Sequence, residues 1–270
     1  MVEIPVIYED KNFIAVNKPS GLLVHGVLAG GKSQMANREA TLADWLRKHY
    51  PETSSVGDLP AGRQAIHMRP GLVHRLDKET SGVLIVARNQ SSFEYLKSLF
   101  QKREIQKTYL ALVRGTPKNK TGVINSPIGI GEGTLKRSVH AERMKKEAHT
   151  EYEVVKEYND DDNDNDSPLL RRGHGDRHGH GACALLRVFP KTGRTHQIRV
   201  HLASIGHPIV GDRLYGGKAR TVRHASSVKR HDVPPARLML HALSLEFVTK
   251  EGQRIKIEAE PPEEFDRFMI

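Results

Sequence analysis

The spacing of apolar and polar positions changes repeatedly along the chain, and each change marks an element. Val6-Ile7-Tyr8 and Phe13-Ile14-Ala15-Val16 predict two short strands joined by the polar turn Glu9-Asp10-Lys11-Asn12. Lys18-Pro19-Ser20-Gly21 breaks the second strand, and Gly26 to Asn37 is glycine-rich and polar. Thr41 is a predicted N-cap for a helix through Leu42, Trp45 and Leu46, which Pro51 closes. The stretch from Glu52 to Pro70, with Gly57, Pro60 and Gly62, reads as a loop delivering the chain into a strand at Leu72-Val73-His74-Arg75-Leu76. A polar turn follows from Asp77 to Gly82. Val83-Leu84-Ile85-Val86-Ala87 is a continuous apolar run of strand length, the pattern of a strand covered on both faces. Phe93, Leu96, Leu99 and Phe100 then recur at helical spacing, predicting an amphipathic helix from about Ser91 to Lys102.

Strand patterning resumes from Thr108 to Val113, and Ile124 to Tyr158 reads as short strands and turns with clear alternation in Thr150-Glu151-Tyr152-Glu153-Val154-Val155. Residues 159 to 181 differ in kind. Aspartates at 160, 161, 162, 164 and 166 sit among asparagines, and glycines alternate with His174, His178 and His180, a composition that cannot bury a core and is expected as a mobile loop. Ala184 to Val188 is a strand, Thr195 to Leu202 a helix, and Leu243 to Phe247 and Ile255 to Ile257 are strands again. Many strands with few helices argue for an α+β fold around a mainly antiparallel sheet. At 270 residues the chain suits one large domain or two modest ones, on a guide of about 100–200 residues per domain.

Composition narrows the setting. No run approaches the ~20 consecutive apolar residues of a membrane-spanning helix, and the opening Met-Val-Glu-Ile-Pro-Val lacks the basic and apolar regions of a signal peptide. The single cysteine, Cys183, allows neither an internal disulfide nor a cysteine-based zinc cluster, so the expected location is the reducing cytoplasm. Lys plus Arg total 42 against 32 acidic residues, a net charge of +10, which favours a polyanionic partner because phosphate neutralisation releases condensed counterions. Lys191, Arg194 and Arg199 cluster without an intervening acid, and Arg213, Lys218, Arg220, Arg223, Lys229 and Arg230 are offset by little but Asp212.

Two segments carry candidate chemistry. His74-Arg75-Leu76-Asp77-Lys78-Glu79-Thr80-Ser81-Gly82 places a carboxylate between apolar segments with cations on both sides, although Asp and Gly are also ordinary turn residues. Lys191-Thr192-Gly193-Arg194-Thr195-His196-Gln197-Ile198-Arg199 is dense in donors near a predicted helix start, where backbone amides favour anions. It lacks the Gly-Lys-Ser/Thr ending of a phosphate-binding loop, and Gly129-Ile130-Gly131-Glu132-Gly133 lacks the third glycine and following helix of a dinucleotide fingerprint. No nucleotide cofactor is therefore expected. The histidines at 174, 178 and 180 lack a second ligand set at zinc spacing, so no metal site is assigned. Tyr109 and Trp45 read as core aromatics by themselves.

Taken together, His74 to Gly82 and Thr192-Gly193-Arg194-Thr195-His196-Gln197-Ile198-Arg199-Val200-His201 resemble the RluA-type family of RNA pseudouridine synthases. Asn17-Lys18-Pro19-Ser20-Gly21, Lys107 to Val113, Gly206-His207-Pro208-Ile209-Val210-Gly211-Asp212 and His241-Ala242 match in order. The resemblance implies a single catalytic domain over 1–270, with an active site in a central cleft. It implies an isomerase without metal or redox cofactor, in which Asp77 attacks a target uridine at the ribose C1′ or at the uracil ring. Arg199 matches the family's ion-pair residue, and an arginine suits a carboxylate because it stays charged and binds bidentately. Tyr109 matches the pocket tyrosine that stacks on uracil, with Ile198 packing beside it. Arg75 matches the residue that fills the space vacated by a flipped nucleotide. Arg194 and His196 are candidate substrate contacts, while Lys18, Pro19 and Gly21 match a supporting segment. The implied partner is structured RNA, ribosomal or transfer, engaged by a monomer. Many members carry an amino-terminal S4 domain, whereas this chain enters the motifs by residue 17, so RNA recognition is expected from the catalytic domain itself. The competing class is an RNA-binding or RNA-folding module that keeps the fold without catalysis.

Overall fold

The computed structural model describes residues 3–26, 39–58, 69–131, 136–158, 182–216 and 237–269. In chain order its elements are β1 (Val6–Glu9), β2 (Phe13–Lys18), α1 (Leu42–His49), β3 (Ser81–Ala87), α2 (Gln90–Lys102), β4 (Gln106–Arg114), β5 (Thr121–Ile124), β6 (Ile128–Ile130), β7 (Arg137–Ser138), β8 (Arg143–Lys146), β9 (Thr150–Tyr158), β10 (Cys183–Pro190), α3 (Gln197–Ser204), β11 (Leu240–Val248) and β12 (Arg254–Glu258). Contacts divide the chain into two compact units, Met1–Gln106 with Ala242–Glu260, and Lys107–His241 with Pro261–Ile270. Among the described residues no helix is long and apolar enough to cross a membrane.

In the first unit β1 and β2 form the expected antiparallel hairpin, its turn closed by Asp10, whose Oδ1 accepts from the amides of Asn12 and Phe13. β2 pairs antiparallel with β3 from Phe13 opposite Ala87 to Lys18 opposite Gly82. Every residue of β3 is buried, as a continuous apolar run requires. β3 neighbours β11, which pairs antiparallel with β12. Thr41 caps α1 in a reciprocal capping box with Asp44, satisfying amides that the first helical turn leaves without partners. α2 buries Phe93, Leu96 and Leu99, the spacing from which it was expected.

One expectation fails here. Leu72 to Leu76 is not a strand: only the isolated bridge between Leu72 and Val86 pairs it with the sheet. The His74 side chain takes the role a strand backbone would play, its Nε2 accepting from the Ile85 amide at 2.9 Å while its ring stacks on Phe100 at 4.5 Å. The turn after it is shorter than expected, because β3 already begins at Ser81.

The second unit is built on antiparallel strands in the order β4–β10–β9–β5, with a separate small sheet in the order β7–β6–β8. Its core includes Leu110, Leu112, Leu186 and Val188, all from the predicted strands. The helix expected from Thr195 instead starts at Gln197, because His196 at its N-cap takes the left-handed conformation (φ 57°, ψ 21°). The α+β class and the antiparallel pairing agree with the sequence pattern. The expected mobile loop at 159–181 and most of the basic stretch after Arg213 lie outside the described residues.

Candidate active site

In the first unit, Asp77 sits half-buried on the loop entering β3, between buried Leu76 and exposed Lys78. Three bonds clamp the loop. The Lys78 carbonyl accepts from Lys18 Nζ (3.1 Å) and from the Gly21 amide (2.8 Å), and the Glu79 carbonyl accepts from Ser20 Oγ (2.6 Å). Lys18 is fully buried, and its ammonium also donates to the carbonyls of Pro19 and Leu22 at 2.8 and 2.9 Å. A buried ammonium is tolerated only when its donors are met, so this lysine ties the Asn17–Gly21 segment to the loop carrying Asp77. The Thr80 amide donates to the Asp77 carbonyl (3.2 Å), completing the turn. Arg75 is exposed two residues upstream.

In the second unit, Arg199 projects from the first turn of α3 and is buried. Its Nε and Nη2 donate to Asp212 Oδ2 and Oδ1 at 2.7 and 2.9 Å, a fork-to-fork ion pair. Asp212 Oδ1 also accepts from the amides of Leu214 and Tyr215. Burial pushes the Asp212 carboxyl upward, but the Arg199 bond and these amides outweigh it and hold the group below its ordinary range. The Arg199 guanidinium carbon lies 5.3 Å from the centroid of the Tyr215 ring, and the Tyr215 hydroxyl meets His196 Nδ1 at 2.9 Å. Tyr109 is half-buried on β4 opposite Val188.

A second network fixes the loop before α3. Gln197 Oε1 accepts from Thr192 Oγ1 (2.6 Å) and the Arg194 amide (3.0 Å), and its Nε2 donates to the His149 carbonyl and to Thr150 Oγ1, both at 2.9 Å. His201, wholly buried, bonds Thr150 Oγ1 through Nδ1 and the Ser126 carbonyl through Nε2. Ser126 offers only an acceptor there, so Nε2 carries the proton and Nδ1 accepts from Thr150. Burial lowers the His201 pKa, with the Ser126 bond opposing and nearby His149 adding to the shift.

The structure therefore gathers Arg194, His196, Ile198 and Arg199 on one loop and helix start, with Tyr109 in the same unit, and places Arg75 and Asp77 in the other. Ile198 is buried, and Arg194 is held through its Nε by the Glu147 carbonyl at 2.9 Å. Sequence reasoning gave Asp212 and Tyr215 no role. The signal was present for Asp212, the lone acid opening a strongly basic stretch, whereas nothing local marks Tyr215. His174, His178 and His180 lie outside the described residues.

A family model described as RNA pseudouridylate synthase matches residues 12–204, a span containing Asp77, Tyr109 and Arg199. An RNA pseudouridine synthase of Aquifex aeolicus, itself described as uncharacterised, is 39% identical over 82% of this chain, which spans 58% of that protein. A protein of Borreliella burgdorferi named ribosomal large subunit pseudouridine synthase D is 34% identical over 99% of this chain and 68% of its own length. The solved structure of human RNA pseudouridylate synthase domain containing 1 superposes with a TM-score of 0.65 at 25% identity, covering 96% of this chain and 84% of the human one. Sequence and fold agree over nearly all of the chain, and the matched span contains the clamped aspartate loop and the buried arginine described above: the chain belongs to the RNA pseudouridylate synthase family.

Proposed function

We propose that the chain is an RNA pseudouridine synthase that isomerises uridine in structured RNA, with large-subunit ribosomal RNA as the substrate that the names of its relatives favour over transfer RNA. The observation that carries this reading is the Asp77 loop: a carboxylate left half-exposed while the backbone on either side is fixed by buried Lys18, Gly21 and Ser20. A reacting group needs that combination of access and rigidity, since misplacement of even about 1 Å costs up to about a hundred-fold in rate.

In this reading Asp77 is the nucleophile toward the extruded uridine. The N1–C1′ bond breaks, the uracil turns, C5 bonds to C1′, and the bond that Asp77 had formed to the nucleotide breaks to return the free carboxylate. Loss of the C5 proton, with a proton gained at N1, balances the isomerisation. Nothing is oxidised or reduced and no atom is added, so the reaction needs neither a redox cofactor nor a co-substrate. Tyr109 offers its ring to the base, Arg199 supplies a fixed positive charge, and Arg75 fills the gap left in the RNA stack. Ile198 shapes the pocket, and Arg194 and His196 contact the RNA. The protein acts as a cytoplasmic monomer, with its residues 1–270 working as one catalytic domain.

Asp77→Asn keeps size and removes the nucleophile. Pseudouridine mapping of ribosomal and transfer RNA, from cells with the gene intact, deleted or carrying this variant, is expected to lose the same one or few large-subunit sites in both altered strains. RNA affinity of the purified variant stays within about two-fold, because phosphate contacts and not the carboxylate dominate binding. Unchanged maps in both strains would instead favour the non-catalytic RNA-binding module.

A further inference from the structure

The small sheet β7–β6–β8 has no part in the site as matched to the family, yet it joins an apolar face to an exposed, cationic edge strand. Its inner face is apolar: buried Ile128 packs with Ala148 and with Val200 of α3, and Val139 and Tyr215 pack against them. Along its edge strand β8, Arg143, Met144, Lys145 and Lys146 are all exposed, as are Lys136 and His140 before it. An ordinary strand would bury alternate residues. β8 does not: it lies at the edge of the sheet and is bulged, with Ile128 opposite Lys146 but Ile130 opposite Arg143, so that β8 advances one residue more than β6. Met144 absorbs the extra residue in the left-handed region (φ 52°) while its side chain stays 61% exposed. A side chain other than glycine in that conformation costs about 1–2 kcal/mol, and bulges of this kind re-aim side chains next to functional sites. The result is a cationic edge around one exposed apolar side chain. Glu142 offsets Lys145 at 2.7 Å, and Glu147 is the other acid in the segment 136–149, so Arg143 and Lys146 are solvent-exposed cations with little acid beside them.

This edge is joined to Arg199 by one residue. The Tyr215 hydroxyl accepts from the amide of Arg137 on β7 at 3.1 Å and meets His196 Nδ1 at 2.9 Å. Its ring lies under both Lys136, with Nζ 5.2 Å from the centroid, and Arg199. Its amide is bound by Asp212, the carboxylate that holds Arg199. A shift of β7 therefore reaches Tyr215 through a backbone hydrogen bond, and the Arg199 pair through both the ring and Asp212.

We propose that the sheet β7–β6–β8 is an RNA-docking surface that binds backbone phosphates through Arg143 and Lys146, and that Tyr215 is the positioning residue through which a docked strand acts on Arg199. The proposal rests on the reading of the chain as an enzyme of RNA. Polyanionic RNA is the occupant that fits, since the edge offers cations at successive positions and Met144 an apolar surface for a sugar or base.

The test uses the full chain and a labelled RNA hairpin, with binding measured between about 50 and 200 mM salt. Each lost phosphate contact lowers the slope of log affinity against log salt by about 0.7–0.9, so R143Q/K146Q is expected to reduce it by about 1.4–1.8 and to weaken binding about ten-fold near 0.15 M salt. An unchanged slope overturns the docking surface and leaves the edge to an acidic protein partner. Tyr215→Phe keeps the ring and removes the hydroxyl. It is expected to leave affinity within two-fold and to slow single-turnover pseudouridine formation on saturating large-subunit ribosomal RNA by about ten-fold. Adding R143Q/K146Q to Y215F then costs no further rate at saturation, and rate losses that multiply overturn the coupling. Carbon NMR of the Asp212 carboxylate, which holds Arg199 and the Tyr215 amide, reads the same link without turnover. Hairpin binding shifts its signal in the unaltered protein but not in Y215F, and an unmoved signal in the unaltered protein also overturns the coupling. Absence of pseudouridine with the salt slope and the NMR shift intact would instead count against the synthase reading alone.

Discussion

Asp212 shows how a single carboxylate can organise its surroundings. It accepts both prongs of the Arg199 guanidinium and two backbone amides, with its own side chain fully buried. Removing one partner of a buried pair leaves the other charge desolvated and uncompensated, which typically costs 3–5 kcal/mol. Asp212→Ala is accordingly expected to destabilise the protein by about 3 kcal/mol in urea unfolding, and a loss below about 1 kcal/mol would show that the Arg199 charge stays compensated without Asp212. His201 gives a different signature. Its folded pKa is lowered by burial, so below the unfolded value near 6.5 the unfolded chain binds more protons and stability falls with pH. The contribution is complete above that value and lost as pH drops beneath it. His25, whose pKa burial also lowers, acts in the same direction. His201→Gln keeps a donor and an acceptor, and is expected to flatten, without abolishing, the decline in unfolding free energy measured between pH 7.5 and 5.5. An unaltered decline would assign it to other groups.

The elements most legible in the sequence were those whose burial has a period. β3 announced itself as an unbroken apolar run and α2 through Phe93, Leu96 and Leu99. Elements shaped by single side-chain contacts were not legible. Leu72 to Leu76 has the apolar content of a strand, but His74 supplies the bond to Ile85 that a strand would have made. β8 reads Arg-Met-Lys-Lys, with no apolar alternation to detect, because as a bulged edge strand it leaves every residue exposed. The candidate site divides in the same way. Asp77 and Arg199 stood in recognisable motifs, whereas Tyr215 acquires its place only once the chain from Ile209 onward has folded back to His196 and Arg137. Close backbone approach is equally invisible to periodicity. Gly82 in β3 has φ 114°, and a Cβ there would lie 2.2 Å from the Ala242 carbonyl oxygen. Gly82→Ala must therefore part β3 from β11 and disturb the pairing with Lys18, at an expected cost of about 3 kcal/mol. Chemical denaturation measures it, and a variant within about 0.5 kcal/mol of the parent would mean that the strands separate without strain.

The path of the chain sets a last constraint. The first unit is assembled from two distant segments, since its sheet continues from β3 into β11 and β12, supplied by Ala242–Glu260. Those later residues complete the packing of the earlier ones. Phe247 lies 5.8 Å from Phe13 ring to ring, Leu245, Phe247 and Ile257 are buried, Tyr95 donates to the Val248 carbonyl, and Asn17 donates to that of Glu260. Burying each of the three large side chains contributes roughly 1.5–3 kcal/mol, so their loss removes about 6 kcal/mol. Whole-domain stabilities are only about 5–15 kcal/mol, and a fragment ending at Gln106 has little or nothing left. Residues 1–106 expressed alone are therefore expected to show no cooperative thermal transition, although they contain Lys18, Asp77 and the bonds that clamp the Asp77 loop. Joining 242–260 to that fragment through a flexible linker is expected to restore a transition, because the segment brings back both the β3 neighbour and the apolar cover. Calorimetry on the two fragments decides it. A cooperative melt of residues 1–106 alone would show that β3 can remain buried without β11, and that the Asp77 loop is held in place by the amino-terminal segments alone.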